Sequence, residues 1–257
     1  EALAQAGALA KGAHAYVTLE PCSHQGKTAP CADALIGAGV THVTAAIIDP
    51  DPRVSGSGIA RLKDAGVNVR TGLLADAARA VNAGFLSKVE RGRPWLTMKT
   101  ATALDGTIAA RTGESQWITG PAARRRGHLL RAENDAILTG IGTVLADNPT
   151  LTCRLAGLED RSPIRVVVDP RGETPVPSNL TDSIDIAPLW IITGPDAPTD
   201  KLKALNGAGA EIISLPAALG GRLDPGLIMQ SLAERGMTRV LLEAGGSLSA
   251  SFMAAEL

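Results

Sequence analysis

Short runs rich in Val, Ile, Leu and Thr alternate with stretches of helical periodicity along the whole chain, and this alternation constrains the fold more than any other feature. Runs of this kind read as strands buried between layers. A parallel neighbour then needs a crossover long enough to hold a helix. The pattern predicts strands over residues 15–19, 42–48, 67–71, 96–101, 136–139, 164–169, 189–193, 211–215 and 239–243. It predicts helices over 30–38, 58–65, 75–88, 121–132, 225–234 and 247–256. Pro121 and Pro225 stand where a first-turn proline is tolerated, and Gly39 and Gly66 where helices end. The expected fold class is α/β. The polar stretch Glu90-Arg91-Gly92-Arg93-Pro94 is the best boundary and divides the chain into domains 1–90 and 91–257. A second break, over 157–163, reads as a surface loop.

Composition removes several classes of function. With 25 basic against 26 acidic residues the net charge is −1, so the chain carries no electrostatic footprint for nucleic acid. Three Trp, one Tyr and two Phe are too few to stack single strands. No apolar run approaches the roughly 18 residues of a membrane helix, and no signal-peptide pattern is visible. Three cysteines in 257 residues fit a reducing compartment and a cytoplasmic protein, where paired cysteines point to metal or catalysis. The first residues from Glu1 already read as helix with no cap, and the helix over 247–256 has no Gly or Pro stop after it. Both ends are therefore expected to be cut.

The first chemical motif runs Glu20-Pro21-Cys22-Ser23-His24-Gln25-Gly26-Lys27-Thr28-Ala29-Pro30-Cys31, between a strand and a helix. Cys31 falls in the first turn of that helix, where the dipole is expected to favour a thiolate. Two thiolates make half of a tetrahedral zinc site, and a catalytic zinc takes three protein ligands and a water whose pKa it lowers. The alternative is a pair of buried thiols in a core turn. His24 is awkward as a third donor because one residue separates it from Cys22. The zinc-deaminase pattern, H-x-E followed by P-C-x-x-C, is met only at its Pro-Cys. The spacing here is C-x8-C, and none of His14, His24, His42 or His128 has a Glu two residues later.

Three further segments carry polar residues where burial or a turn is expected. Lys99 interrupts a strand built for burial and needs either a structural salt bridge or a task. Asp105-Gly106 alone is a turn signal, and Trp117 alone a core residue. Gly140 and Gly142 permit close backbone approach to a ligand, but the third glycine of a dinucleotide fingerprint is missing and a plain tight turn is the alternative. Arg131 and Arg154 suit a phosphate through their planar forks, and Cys153 between them reads as a buried thiol. Finally, strand 239–243 ends in Glu243-Ala244-Gly245-Gly246-Ser247 and a helix starts at once. That arrangement offers free backbone N–H groups to an anion.

Taken in order, these segments resemble the bifunctional riboflavin-biosynthesis deaminase/reductase family over essentially the whole chain. Residues 18–31 are similar to its zinc turn T-L-E-P-C-S-H-x-G-x-T-P-P-C, with Ala29 where Pro is usual. Residues 99–106 and 113–119 resemble K-x-x-x-S-L-D-G and G-E-S-x-W-I-T, with Ala103 where Ser is usual. Thr139, Thr143, Val144, Asp147, Pro149, Leu151 and Arg154 fit its T-x-x-x-T-V-x-x-D-x-P-x-L-x-x-R block, and 243–247 its glycine turn.

The resemblance implies the C-terminal part of a cytidine-deaminase-like αβα domain followed by a dihydrofolate-reductase-like α/β domain. It implies a zinc aminohydrolase acting on a diaminopyrimidine ribosyl phosphate, and an NADPH-dependent oxidoreductase converting the ribosyl chain to ribityl. Cys22 and Cys31 would ligate Zn2+. Lys27, Lys99, Asp105, Ser115, Arg131, Asp147, Arg154 and Glu243 would bind substrate. Ala101, Trp117, Thr143, Gly245, Gly246 and Ser247 would bind NADPH. The family's third zinc ligand and catalytic Glu come from a His-Ala-Glu motif. Glu1-Ala2-Leu3 looks like the stretch just after it, so both are expected upstream and these residues alone are expected to lack deaminase activity. Pro170 stands where many members have a Ser at the cofactor, with Arg171 as a candidate substitute at a 2′-phosphate. The implied partner is a small phosphorylated pyrimidine, with no nucleic acid or membrane, and a homo-oligomer is compatible with the resemblance. Two other readings stand beside this one: a nucleoside, nucleobase or tRNA deaminase with an appendage, and, were the chain complete, a degenerate non-catalytic nucleotide-binding module.

Overall fold

In the computed structural model, which describes residues 1–257 except Lys27, Thr28 and Gln116, the apolar runs pair as parallel strands in two separate sheets. Each sheet belongs to one of two units, Glu1–Gly92 and Arg93–Leu257.

The first unit holds β1 (His14–Val17), β2 (His42–Ala45) and β3 (Asn68–Thr71) in the order β1-β2-β3, with His14 opposite His42 and His42 opposite Asn68. After the short α1 (Ala2–Ala6), α2 (Cys31–Gly37) and α3 (Ser57–Asp64) serve as the crossovers that parallel pairing requires. Val43 and Val67 on the sheet side bury against Ala32, Leu35 and Leu62 of these helices. Gly39 and Gly66 take the left-handed φ values of 72° and 83° expected just past a helix end. The helix expected over 75–88 is two helices, α4 (Ala75–Val81) and α5 (Ala83–Arg91). Between them Asn82 leaves helical geometry at φ −91° and ψ 10°, and its side-chain amide donates to the Ala78 carbonyl at 2.9 Å. A short polar side chain bonding back to the preceding turn competes with the backbone ladder, which a reading of apolar spacing does not register.

The second unit has six strands in the order β4-β9-β5-β6-β7-β8, every pair parallel. They are β4 (Trp95–Met98), β5 (Ala136–Gly140), β6 (Ile164–Val168), β7 (Leu189–Thr193), β8 (Glu211–Ser214) and β9 (Arg239–Leu242). The helices are α6 (Pro121–Ala132), α7 (Ile141–Asp147), α8 (Thr199–Gly207), α9 (Pro225–Glu234) and α10 (Gly246–Ala254). Pro121 and Pro225 open their helices as expected, while α7 and α8 were not legible from spacing. Both faces of the sheet are covered. Ala136 and Leu138 point to one core with Val166, Val240, Leu242 and Phe252, whereas Ile137 points to the other with Val167, Ile191, Val144 and Leu205. The two-residue strand period thus fills two layers at once.

A long charged side chain lies inside this packing. Arg165 of β6 is fully buried. It donates to Ser183 Oγ at 2.7 Å, to the carbonyls of Ser183 at 3.1 Å and Thr150 at 3.3 Å, and to the Ala187 carbonyl. Burial pulls its guanidinium down to about 10.

Candidate active site

Because β4, β9, β5 and β6 are neighbours and parallel, their carboxyl ends share one rim, where ligands of open α/β sheets bind. Lys99 follows β4, Glu243 follows β9, Gly140 ends β5 and Pro170 comes just after β6. Two adjoining clefts open at this rim, of about 370 and 640 Å³, with Ile108, Ser115, Thr143, Asp147, Gly245 and Gly246 lining both.

The smaller cleft is built around a charged cluster. Glu243 accepts from Arg131 Nε at 3.1 Å and from Arg131 Nη2 at 3.0 Å, a bidentate pair with both side chains nearly enclosed (11% and 14% exposed). The remaining terminal nitrogen of Arg131 donates to the Thr152 carbonyl at 3.0 Å. Lys99 Nζ approaches Glu243 Oε2 at 3.5 Å and is one third exposed. Burial alone would raise the Glu243 carboxyl, but the Arg131 guanidinium, joined by the Lys99 ammonium, outweighs it and holds the group below the usual carboxylate range. Ala101 lines the same cleft. Arg131 was expected to offer its fork to a phosphate; that fork is already engaged by Glu243.

The larger cleft runs along the glycines. Gly140, Gly142 and Thr143 form one wall, and Gly245, Gly246 and Ser247 another. A Cβ on Gly140 would meet Leu248 Cδ2 at 3.4 Å, and one on Gly245 would meet Thr143 Oγ1 at 3.9 Å. At the start of α10 no side chain caps the helix, so its first-turn N–H groups remain open at the cleft wall. A cradle of bare backbone beside an uncapped helix start fits the diphosphate of a dinucleotide.

Other expected site residues lie elsewhere. Asp105 folds onto its own turn, accepting from Thr107 N at 3.0 Å and Thr107 Oγ1 at 2.8 Å, and does not line either cleft. These bonds lower its carboxyl. Trp117 is 71% exposed, with the Arg124 guanidinium 4.3 Å over its ring, and also lies outside the lining. Arg154 donates to Thr150 Oγ1 at 2.6 Å, and its backbone N–H reaches His128 Nδ1 at 3.3 Å. Burial, then the nearby Arg131 and Arg154, push the His128 imidazole down. Arg171 turns to Glu173 at 3.4 Å. Arg222, which no sequence signal singled out, lines the larger cleft.

In the first unit, the Cys31 N–H donates to Cys22 Sγ at 3.3 Å, so the turn and the start of α2 bring the two cysteines together. Burial, and then the hydrogen bond with Cys22, raise the Cys31 thiol, opposite to the expected helix-dipole effect. Two sulfurs suit zinc, but among the described residues no third His, Cys, Asp or Glu completes a metal-holding group with them. The Nδ1 of His24 is buried with no hydrogen-bond partner. Lys27 lies outside the described residues. The turn itself is held by a residue that spacing arguments did not single out. Glu20 is buried, and its carboxylate accepts from the backbone N–H groups of Asp49 at 3.2 Å, Gly56 at 2.9 Å and Ile59 at 3.0 Å.

Residues 94–257 match the family model described as RibD C-terminal domain. The chain is 43% identical over 99% of its length to a riboflavin biosynthesis protein RibD of Bacillus amyloliquefaciens, covering 67% of that protein. Its structure is similar to Acinetobacter baumannii RibD, with a TM-score of 0.85, 37% identity, and coverage of 100% of this chain and 69% of that one. It is also similar to a Thermotoga maritima diaminohydroxyphosphoribosylaminopyrimidine deaminase/5-amino-6-(5-phosphoribosylamino)uracil reductase, with a TM-score of 0.78, 32% identity, and coverage of 93% and 64%.

Proposed function

Because the chain belongs to the RibD family of riboflavin biosynthesis proteins, we propose that its second unit reduces a phosphorylated aminopyrimidine riboside with NADPH, and that Cys22 and Cys31 are two ligands of a deaminase zinc. Membership of the family makes the chain an enzyme and residues 94–257 its reductase domain. The reductase reading rests on one observation: Lys99, Arg131 and Glu243 converge on a cleft that shares its glycine wall with a larger one.

Bound NADPH would supply the hydride, and the protein orients and stabilises. Arg131, whose bidentate edge is committed, is a positioning residue that fixes the Glu243 carboxylate. Glu243 is ionised at neutral pH and accepts from hydroxyl or amino groups of the substrate. The Lys99 ammonium has three donors and spends one on Glu243, leaving the others for a phosphate or for developing negative charge. Ser115 and Asp147, on the shared wall, orient the sugar at the junction of the two clefts. Gly245, Gly246 and the start of α10 hold the diphosphate, with Thr143 beside them.

In the first unit, zinc held by the two cysteines and a donor beyond the described residues would supply an acidified water. No step follows from the described residues alone. A degenerate, non-catalytic module is not favoured, since it gives no reason to hold Glu243 charged between two cations.

The test is NADPH oxidation by this chain with 5-amino-6-(5-phosphoribosylamino)uracil, the compound named for the Thermotoga relative. Turnover is expected, with Lys99→Met reducing it by about 100-fold or more. A chain that neither binds nor oxidises NADPH would overturn the reading.

A further inference from the structure

Building on the NADPH reading above, we infer that Arg222 recognises the 2′-phosphate of the cofactor and so sets the preference for NADPH over NADH. Among the described residues that line the larger cleft, Arg222 is the one cation and Asp147 the one acid. Asp147 belongs to the wall shared with the smaller cleft, whereas Arg222 lines the larger cleft alone. The nicotinamide must meet the substrate at the shared wall. The adenosine end of the cofactor therefore falls in the part of the cleft to which Arg222 belongs.

Three other cations at this rim are already engaged. Arg131 and Lys99 both face Glu243, and Arg171 pairs with Glu173 at 3.4 Å outside the lining. No hydrogen bond or ion pair engages the Arg222 guanidinium among the described residues. A phosphate monoester selects such a group: a planar fork with its donors uncommitted and its charge not neutralised.

The backbone around Arg222 is anchored on both sides. The Ala218 N–H donates to the Arg222 carbonyl at 2.7 Å, and Ala217 bridges Leu223 in antiparallel fashion. Gly220 and Gly221 close this turn at φ 80° and 71°, values that favour glycine. Leu223 is buried in the core, and Asp224 caps α9 by accepting from Leu227 N at 3.0 Å. The main chain is thus tied down on both sides of Arg222.

The experiment is calorimetric titration of wild type, Arg222→Ala and Arg171→Ala with NADPH, NADH, 2′,5′-ADP and 5′-AMP. Arg222→Ala should weaken NADPH and 2′,5′-ADP by about 10- to 100-fold. It should leave NADH and 5′-AMP unchanged, and Arg171→Ala should change none of the four. Equal weakening of NADPH and NADH by Arg222→Ala overturns the assignment. So does retention by that variant of the wild-type preference for NADPH, or a wild type that does not distinguish the dinucleotides. A wild type that binds neither dinucleotide refutes the NADPH reading itself, and the assignment falls with it.

Discussion

Alanine in place of Gly58 is expected to destabilise the protein, against the direction that helix propensity dictates. Gly58 lies in the first turn of α3, outside the left-handed region, so a methyl there should gain up to about 1 kcal/mol of propensity. The surroundings forbid it. A Cβ on Gly58 would stand 1.8 Å from the Pro21 carbonyl oxygen and 3.2 Å from Glu20 Oε1. Carbon and oxygen approach no closer than about 3.3 Å even in a weak hydrogen bond, so the two backbones must part by more than an ångström. Glu20 cannot follow freely, because its carboxylate ties together the N–H groups of Asp49, Gly56 and Ile59. Each such charged hydrogen bond is worth about 1.5–3 kcal/mol, and overpacking costs about 1–3 kcal/mol. Losing one bond and straining the contact outweighs the propensity gain, for a net loss of about 2–5 kcal/mol. Urea denaturation followed by circular dichroism measures it. Gly37→Ala in α2 is the control, since its Cβ would meet nothing within 4 Å, and it should gain about 0.4–1 kcal/mol. A Gly58→Ala chain as stable as wild type would show that α3 and the Pro21 turn separate at no cost, and the reasoning would fail.

The Glu243 carboxyl is held below its ordinary value, so its contribution to stability is full above the unfolded carboxylate range and is lost as pH falls through the folded value. Denaturation curves of wild type and Glu243→Gln should therefore differ by a constant amount above about pH 5 and converge in acid; a gap that widens on acidification would contradict the assigned charge state. Arg165→Met should cost about 3–5 kcal/mol by urea denaturation, since it strands the carbonyls of Thr150, Ser183 and Ala187 in the core. A loss under 1 kcal/mol would mean that water or a local shift satisfies them.

The layers of this fold were legible because β5, β6, β7 and β9 bury both faces and announce themselves as apolar runs, and because Pro121, Pro225, Gly39 and Gly66 punctuate the helices by rules of backbone geometry. The break at Asn82 was not legible, since one side-chain amide bonding to Ala78 decides it and apolar spacing is blind to that. In the site, the glycine turn after β9 declared itself through its own local geometry. The pairing of Arg131 with Glu243 spans 112 residues of chain, and no local pattern encodes it. Asp105 and Trp117 were read from motif order, which fixes neighbours in sequence but not the direction in which a loop turns its side chains. Glu20, Gly58 and Arg222 act through what stands opposite them in space, and nothing beside them in the chain signals it.

The position of β9 between β4 and β5 bears on how the protein is made. A ribosome delivers β4, β5, β6, β7 and β8 before β9 exists, so until then β4 has no partner strand and the sheet ends at an open β5 edge. Until that strand arrives, β4 and the open edge of β5 present unsatisfied backbone groups and apolar side chains to solvent, the kind of surface that chaperones hold and that stray strands capture. Glu243 and the glycine turn arrive with the strand that joins β4 to β5, so completing the sheet and assembling the charged cluster go together.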